Sequence, residues 1–236
     1  MVGKTGTLHG VGVGPGDPNL ITLKAWKLIS NAPVIAYLAA NGKDSTARDI
    51  AGPFIPAAAE HLVIDMPMRV EREPGDRAYD EGAARIAAAL DKGQDVVMLC
   101  EGDPFFYGSF MYVFARLAAT HSCRIVPGVT SITASAAALR RPLSARNEVV
   151  KVLPATLPED RLREELQTAE SAAIIKVGRH LPKIRNILGL LDLTARAHVI
   201  VKATHHDERI IPLLGITEDH LPYFSTILVY TGAETW

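Results

Sequence analysis

Three short segments of the sequence combine glycines with residues that can bind a ligand or accept a proton. They are GVGPGDP at residues 12–18, EGDPFFYGS at residues 101–109 and PGVTS at residues 127–131. Glycine lets the backbone approach a ligand closely, and proline removes an N–H donor while leaving its carbonyl in place. The composition of these segments therefore favours a neutral or cationic ligand that is held by carbonyl groups.

The first segment lacks a phosphate-binding signature. In the two possible registers of G-x-G-x-x-G, starting at Gly10 or Gly12, the last glycine is replaced by Pro15 or Asp17. A carboxylate at Asp17 would also oppose a pyrophosphate at a helix N-terminus. The GKT at residues 3–5 has no glycine five positions earlier, as a P-loop requires. The alternative to ligand binding is a plain strand-to-helix turn in which Asp17 caps the helix.

The N-terminal part of the chain alternates predicted strands with predicted helices. Apolar runs predict strands, and periodic patterns predict helices between them, at 7–14, 20–32, 33–38, 60–67, 74–93, 94–100, 109–120, 123–128 and 131–140. Such alternation predicts a mostly parallel sheet, whose ligands bind beyond the carboxyl ends of the strands. We therefore expect the loops 14–19, 101–107 and 127–131 to converge on one site.

The pattern changes after about residue 146. Strands are predicted at 148–154, 171–178 and 197–203, with helices at 159–167 and 181–191. Apolar runs at 208–214 and 223–231 have no helical stretch between them, which predicts an antiparallel hairpin and a mixed sheet. The sequence thus predicts two α/β domains, residues 1–144 and 145–236, with the active site in the cleft between them.

Composition excludes several classes of protein. The 236 residues carry a net charge of −1. The chain therefore lacks the overall excess of basic residues that would indicate nucleic acid as a partner. Cys100 and Cys123 are too few for a disulfide framework and are expected to be buried free thiols. No apolar run approaches the ~18 residues of a membrane span, and the N-terminus lacks the apolar core of a signal peptide. We therefore expect a cytoplasmic protein with no membrane partner.

The three glycine segments, in this order and spacing, resemble the motifs of the tetrapyrrole (corrin/porphyrin) methylase family. Its members methylate uroporphyrinogen and corrin-ring precursors from S-adenosyl-L-methionine. Four further segments resemble the branch that methylates precorrin-2 at ring carbon 20 on the route to cobalamin: VLPATLPEDRLREEL, AAIIKVGRHLPKI, ATHHDERIIPL and PYFSTILVY. The common family form GGDP is EGDP here, from Glu101, and this departure fits the precorrin-2 branch.

The resemblance covers nearly the whole chain and implies a fold, a cofactor and partners. We expect the two-domain tetrapyrrole methylase fold, S-adenosyl-L-methionine as cofactor, a tetrapyrrole substrate and a homodimer. The expected reaction converts precorrin-2, or its cobalt form, by methylation at carbon 20, which gives precorrin-3A from the metal-free substrate. The alternatives are methylation at a different ring carbon, a sensor that binds the cofactor without turnover, and a nicotinamide dehydrogenase.

The resemblance also implies which residues bind the cofactor. They are Pro15, Glu101, Gly102, Asp103, Phe106, Thr130, Ser131, Val177, Ala203, Thr204, Glu208, Arg209 and Ile210. Asp103 could instead cap a helix that begins near Ser109, and Thr130–Ser131 could cap the next helix. His205 and His206 are adjacent and would face opposite ways in a strand, so we expect no metal site there.

The implied chemistry needs alignment and a proton acceptor. A methyl group would pass from sulfonium to ring carbon in line, and alignment can contribute up to ~7–11 kcal/mol to such a step. The methylated carbon then loses a proton, and Asp103 and Tyr107 are the candidate catalytic residues. Because the substrate carries multiple carboxylates, arginines should bind it, although each could be a solvated surface charge. The candidates are Arg69, Arg72, Arg140, Arg141, Arg146 and Arg179, with Arg77, Lys151 and Lys183 as further basic residues.

Overall fold

The computed structural model describes residues 5–40, 44–67 and 72–232, apart from the side chains of residues 72–74. The chain divides into two compact units between Thr130 and Ser131. Each unit is built on its own five-stranded sheet. None of the helices in the described ranges is both long enough and apolar enough to cross a membrane.

The sheet of the first unit is parallel throughout, in the order β3-β2-β4-β1-β5. Its strands are β1 (Thr7–Gly12), β2 (Val34–Ala40), β3 (Glu60–Met66), β4 (Val96–Cys100) and β5 (Ser122–Val126). The helices between them are α1 (Leu23–Ile29), α2 (Thr46–Ala51), α3 (Arg72–Asp91) and α4 (Phe110–Leu117). The parallel sheet and its alternation with helices confirm the prediction, except that α2 was not predicted.

The two faces of this sheet carry separate hydrophobic cores. Residues alternate between the faces along each strand, so Val97 and Leu99 pack with α1 and α2 on one face. Val96 and Met98 pack with α3 and α4 on the other face. Because α2 has only six residues, it shows too little of a helical apolar period to be recognised in the sequence.

The chain leaves β1 and β4 in opposite directions. After β1 it runs to β2, on one side of the sheet, whereas after β4 it crosses β1 and reaches β5 at the opposite edge. The carboxyl ends of these two neighbouring strands therefore mark the point at which the strand order reverses. Parallel sheets bind ligands at such a switch point.

The sheet of the second unit is mixed, in the order β6-β7-β10-β8-β9. Its strands are β6 (Val150–Pro154), β7 (Ser171–Ile175), β8 (Ala197–Val201), β9 (Arg209–Pro212) and β10 (Ser225–Tyr230). Its helices are α5 (Ser131–Leu139), α6 (Glu159–Gln167) and α7 (Leu181–Leu190). Only β6 and β7 pair in parallel, and the remaining pairs are antiparallel, as a mixed sheet requires.

The predicted hairpin between the last two strands is wrong. β9 pairs with β8, and β10 lies between β7 and β8, so β8 separates β9 from β10. All six residues of β10 are buried, which is typical of a central strand, whereas β9 is an exposed edge strand. The connection at residues 213–224 contains no α-helix but is long enough to pass the end of β8.

Helix α5 belongs to the second unit, because it packs against β10 and β8. The sequence placed this helix in the N-terminal domain, with the boundary between residues 144 and 145. That boundary, and the cleft expected between the domains, remain predictions.

Gly10 on β1 allows α4 to approach the sheet. A Cβ at this position would lie 2.5 Å from Cε1 and Cζ of Phe110, a residue with no exposed surface. Gly10→Ala should therefore destabilise the protein by about 1–3 kcal/mol, because the ring must move within a packed core. In a Gly10→Ala/Phe110→Leu double variant the smaller side chain relieves the clash. Denaturant unfolding should then show a combined loss smaller than the sum of the single losses, and strictly additive losses would contradict this contact.

Candidate cofactor site

The loops after β1 and β4 are joined by their backbones. Gly102 N donates to Gly14 O at 2.8 Å, and Gly14 N donates to Gly102 O at 3.3 Å. Both glycines have positive φ angles, 78° for Gly14 and 64° for Gly102, which side chains disfavour. Glycine at these two positions therefore allows the first two loops to turn toward each other.

The loop after β5 meets the other two at a contact among three glycines. A Cβ on Gly128 would lie 2.0 Å from Gly102 O and 2.9 Å from the Cα of Gly12. A Cβ on Gly12 would lie 2.5 Å from Gly102 O. The three predicted loops thus converge at the carboxyl edge of the sheet, as expected from the predicted parallel sheet.

Asp103 ties two of these loops together through three backbone N–H groups. Its Oδ1 accepts from Phe105 N at 2.9 Å and from Phe106 N at 3.0 Å, which closes a tight turn. Its Oδ2 accepts from Gly128 N at 3.0 Å. Asp103 does not cap α4, whose N-cap is Ser109 without a capping side-chain bond. Its carboxylate is instead engaged in holding the loops of the site.

Glu101 is the first residue after β4 and turns its carboxylate toward α2. Its Oε1 accepts from Ala47 N at 3.2 Å. Burial raises the pKa of Glu101, while hydrogen bonds from its own N–H and from Ala47 N lower it. The side chain therefore reaches the helix that the sequence did not reveal.

The aromatic residues of the second loop lie in different environments. Phe105 is 45% exposed and packs on the rings of Phe110 and Phe114, with centroids 5.8 and 5.2 Å away. Phe106 is half-buried and meets Tyr107 edge to face at 5.2 Å. Tyr107 is 42% exposed and has a φ of 55°, a left-handed conformation that is uncommon outside glycine. Its phenol is thus presented at the surface of the loop.

The remaining first-unit candidates flank this arrangement. Pro15 is buried directly after Gly14, and Asp17 accepts from Asn19 N at 2.8 Å to cap a single 3-10 turn, while Thr22 caps α1. Thr130 is the residue before α5, which begins at Ser131, so these two residues occupy the start of a helix.

The second unit gathers its candidates at one edge of its sheet. β10 is antiparallel to both β7 and β8, so β7 and β8 point the same way and their carboxyl ends share an edge. Val177 follows β7 and is buried, as is Ala203 after β8. Thr204 N donates to Glu208 Oε2 at 2.6 Å, which closes the loop after β8. These four predicted cofactor residues therefore lie at the same edge.

Unusual backbone conformations mark the same strand ends. Lys176, Lys202 and Thr204 have φ angles of 55°, 51° and 68°. Such conformations cost energy in residues other than glycine and cluster at binding sites. The chain therefore turns sharply directly after β7 and after β8.

Arg209 and Ile210 lie on β9, where both are exposed. Arg209 pairs with Val201, the last residue of β8, and so reaches the same edge, whereas Ile210 lies one position further along β9. The ring of His205 stacks on Phe224 with centroids 6.3 Å apart. Within the described part of the chain, no cluster of three or more His, Cys, Asp or Glu side chains could hold a metal ion.

The predicted substrate arginines are dispersed. Arg69 lies outside the described residues, and Arg72 begins α3 with an undescribed side chain. Arg140 and Arg146 are exposed and have left-handed backbones, with φ angles of 54° and 48°. Arg179 is exposed on the turn after Val177.

Arg141 is turned inward. Its guanidinium lies 3.9 Å from the ring centroid of Tyr230, whose hydroxyl donates to Arg141 O at 3.4 Å. Tyr230 pairs with Ser171, the first residue of β7, so Arg141 sits at the sheet edge opposite to Val177. This placement gives Arg141 a packing role within the second unit.

Two further basic residues are also engaged inside the second unit. Lys151 Nζ donates to Glu165 Oε2 at 3.0 Å and to Thr168 Oγ1 at 2.6 Å. Lys183 Nζ donates to Leu157 O at 2.5 Å. Sequence reasoning missed these partners, as it missed Ala47 and the close approach of Gly12 and Gly128, because each depends on chain segments distant in sequence.

Known proteins are similar to this chain in sequence and in architecture. The chain is 40% identical to the cobalamin biosynthesis protein CobIJ of Mycobacterium bovis (strain ATCC BAA-935 / AF2122/97) over 96% of this chain and 46% of that protein, and so spans about half the length of that relative. It is 36% identical to the precorrin-2 C(20)-methyltransferase of a Sinorhizobium species over 95% of each chain. Among solved structures it is similar to the cobalt precorrin-4 methyltransferase CbiF, with a TM-score of 0.75 and 26% identity over 95% of this chain and 94% of that one.

The family profile for tetrapyrrole (corrin/porphyrin) methylases matches residues 7–215, which include the three glycine loops and both sheets up to β9. The chain therefore belongs to the tetrapyrrole (corrin/porphyrin) methylase family.

Proposed function

We propose that this chain is an S-adenosyl-L-methionine-dependent C-methyltransferase that methylates ring carbon 20 of precorrin-2, or of its cobalt form, in cobalamin biosynthesis. From metal-free precorrin-2 the product is precorrin-3A. The observation that carries this proposal is the 36% identity to a precorrin-2 C(20)-methyltransferase over 95% of each chain. The alternative is a tetrapyrrole methylase that acts at a different ring carbon.

The geometry of the first unit supports a cationic cofactor without a phosphate. Backbone N–H groups at the switch point would bind a phosphate in other parallel sheets, but those of Phe105, Phe106 and Gly128 already donate to Asp103. The Asp103 carboxylate would also repel a second anion there. This arrangement disfavours a nicotinamide dinucleotide or ATP and suits a sulfonium cation.

The residues of the chain would contribute mainly by alignment. S-adenosyl-L-methionine would supply the methyl group from its sulfonium centre. The joined glycine loops would fix the position of the cofactor, with Pro15 and Phe106 packing on it in the first unit. In the second unit Val177, Ala203, Thr204 and Glu208 would bind its remaining groups, with Arg209 and Ile210 beside them. Tyr107, which is 42% exposed, and Asp103, whose carboxylate accepts from three N–H groups, remain the candidate proton acceptors.

The proposed partners follow from the same assignment. We expect a homodimer that acts on a small-molecule tetrapyrrole in the cytoplasm, without nucleic acid or membrane. Light scattering of the purified chain measures its oligomeric state.

The proposed reaction is tested with purified protein, S-adenosyl-L-methionine and precorrin-2 in its metal-free and cobalt forms. We expect the mass of one of them to increase by one methyl group, with the new methyl group on carbon 20. Methylation at another carbon would establish the alternative branch. Calorimetric titration with S-adenosylhomocysteine, ATP and NAD adds an independent test, since a dehydrogenase would bind NAD and a sensor would bind S-adenosylhomocysteine without turnover.

Alanine variants of Arg179 and Arg141 distinguish a residue that binds substrate from one that packs within the second unit. Arg179→Ala should raise the KM for the tetrapyrrole about tenfold or more, because a lost charged hydrogen bond costs about 1.5–3 kcal/mol. Arg141→Ala should instead lower the free energy of unfolding by about 1–2 kcal/mol through loss of its contact with Tyr230. Steady-state kinetics and denaturant unfolding of both variants measure this. An unchanged KM in Arg179→Ala would remove that residue from the substrate site.

Gly128→Ala tests whether the three-glycine contact builds the cofactor site. Its new Cβ would collide with Gly102 O, so the loops must separate. We expect the affinity for S-adenosylhomocysteine to fall at least tenfold by calorimetry, together with a lower Tm. Gly189→Ala on α7 is the matched control, because a Cβ there has nothing within 4 Å. That control should retain the affinity, and wild-type affinity in Gly128→Ala would refute the assignment.

Asp103→Asn tests the carboxylate clamp. Asparagine can keep the two bonds to Oδ1, but its NH2 group would face Gly128 N at the Oδ2 position. We expect stability to fall by about 1.5–3 kcal/mol, the contribution of a hydrogen bond to a charged group. Cofactor affinity should fall with it, because the third loop is released. A variant with normal stability and cofactor affinity but a kcat reduced about 10²–10⁴-fold would instead identify Asp103 as a general base.

A further inference from the structure

Glu101 stands on the face of the sheet that carries α1 and α2. Side chains alternate along β4, so Glu101 shares a face with Val97 and Leu99, which belong to the core beneath those helices. Glu101 directly follows β4 and precedes Gly102 and Asp103 of the cofactor loop. Its side chain can therefore connect the candidate cofactor loop to the helices that pack on Leu99.

That neighbour is the amino end of α2. Ala47 and Ile50 of α2 pack in the same core, and the helix contacts β4 and β2. The first N–H groups of a helix lack partners within the helix. Glu101 Oε1 accepts from Ala47 N at 3.2 Å, and Ser45 Oγ accepts from Arg48 N at 3.4 Å. Two acceptors thus hold this helix end, Ser45 from within its own segment and Glu101 from a distant one.

A carboxylate is a costly acceptor at this place. Burial opposes its ionised form, and a neutral side chain could accept the same hydrogen bond. The opposing contributions are the hydrogen bonds from Ala47 N and from the backbone N–H of Glu101 itself. Among the described residues, the bond from Ala47 N is the hydrogen bond by which this side chain reaches another element.

We infer that Glu101 is a positioning residue: its carboxylate fixes the amino end of α2 against the cofactor loop, and α2 forms one wall of the tetrapyrrole site. This inference rests on the proposed function. The amino end of α2 follows the carboxyl end of β2, so it lies at the edge of the sheet where the three glycine loops converge. The backbone of the cofactor loop is held separately, by Gly14 and by Asp103. Loss of the Glu101 contact should therefore affect the tetrapyrrole more than the cofactor.

The test compares three variants in two assays. Glu101→Ala removes the acceptor, and Glu101→Gln keeps an acceptor of the same shape without the charge. Ser45→Ala weakens the same helix end from the other side without touching the cofactor loop. Asp49→Asn is the control, because Asp49 is an exposed carboxylate of α2 that pairs only with the neighbouring Arg48 among the described contacts.

Amide hydrogen exchange of residues 46–51 is the first assay and needs no substrate. We expect exchange at least fivefold faster in Glu101→Ala, faster also in Ser45→Ala, and unchanged in Glu101→Gln and Asp49→Asn. The second assay is steady-state kinetics, in which Glu101→Ala should raise the tetrapyrrole KM at least fivefold. The Kd for S-adenosylhomocysteine should stay within twofold in Ser45→Ala and in Asp49→Asn, and Glu101→Gln should restore the KM.

Two outcomes would overturn the inference. Wild-type exchange in Glu101→Ala would show that the carboxylate does not hold α2. A Glu101→Gln variant as impaired as Glu101→Ala would show that the charge acts on a ligand or on the reaction instead. If Glu101→Ala does not fold, a tetrapyrrole KM raised at least fivefold in Glu101→Gln would overturn the inference by itself. A wild-type protein that methylates no precorrin-2 would refute the proposed function, while the exchange assay would still decide whether Glu101 positions α2.

Discussion

The arrangement of the loops in the first unit depends on the three hydrogen bonds that the Asp103 carboxylate accepts. Loops beyond a parallel sheet usually present free N–H groups, and such groups attract anions. Here Asp103 occupies the N–H groups of Phe105, Phe106 and Gly128, and Pro15 and Pro104 have none to offer. These three N–H groups are therefore not available to an anion. The same bonds hold the second and third loops close enough that only glycine fits at residue 128.

In both sheets the carboxyl ends of the strands that lead into the candidate loops lie on one side, although the two topologies differ. In the first unit the carboxyl ends share an edge because all strands are parallel, and the switch between β1 and β4 opens that edge. In the second unit β10 separates β7 from β8, yet its antiparallel pairing with both leaves their carboxyl ends on one side. Left-handed residues follow the strands in both units, at Gly14 and Gly102 and at Lys176 and Lys202. In each unit the sharp turn after a buried strand brings backbone groups to the edge.

Sequence patterns predicted the features that depend on neighbouring residues. Apolar runs and helical periods gave the alternation of the first unit, and the parallel rule then predicted that the glycine loops would meet. The hairpin prediction failed because all six residues of β10 are buried, so this strand pairs at the centre of the sheet with β7 and β8, and β9 pairs with β8 at the edge. Helix α2 was missed because six residues show too little of a period. Local sequence patterns do not show which distant segment will pair with a given strand or pack against it.

Charge illustrates the same limit. In a sequence, every basic residue is a candidate ligand for a substrate with several carboxylates, because the sequence gives the type and number of these residues but not their partners in the fold. In the structure, Arg141 stacks on Tyr230, and Lys151 is bonded to Glu165 and Thr168. Arg179 remains exposed beside Val177. The acidic residues Asp103 and Glu101 also have partners within the protein, because both carboxylates accept hydrogen bonds from backbone N–H groups. The partners of each charge are therefore set by the fold and not by the composition.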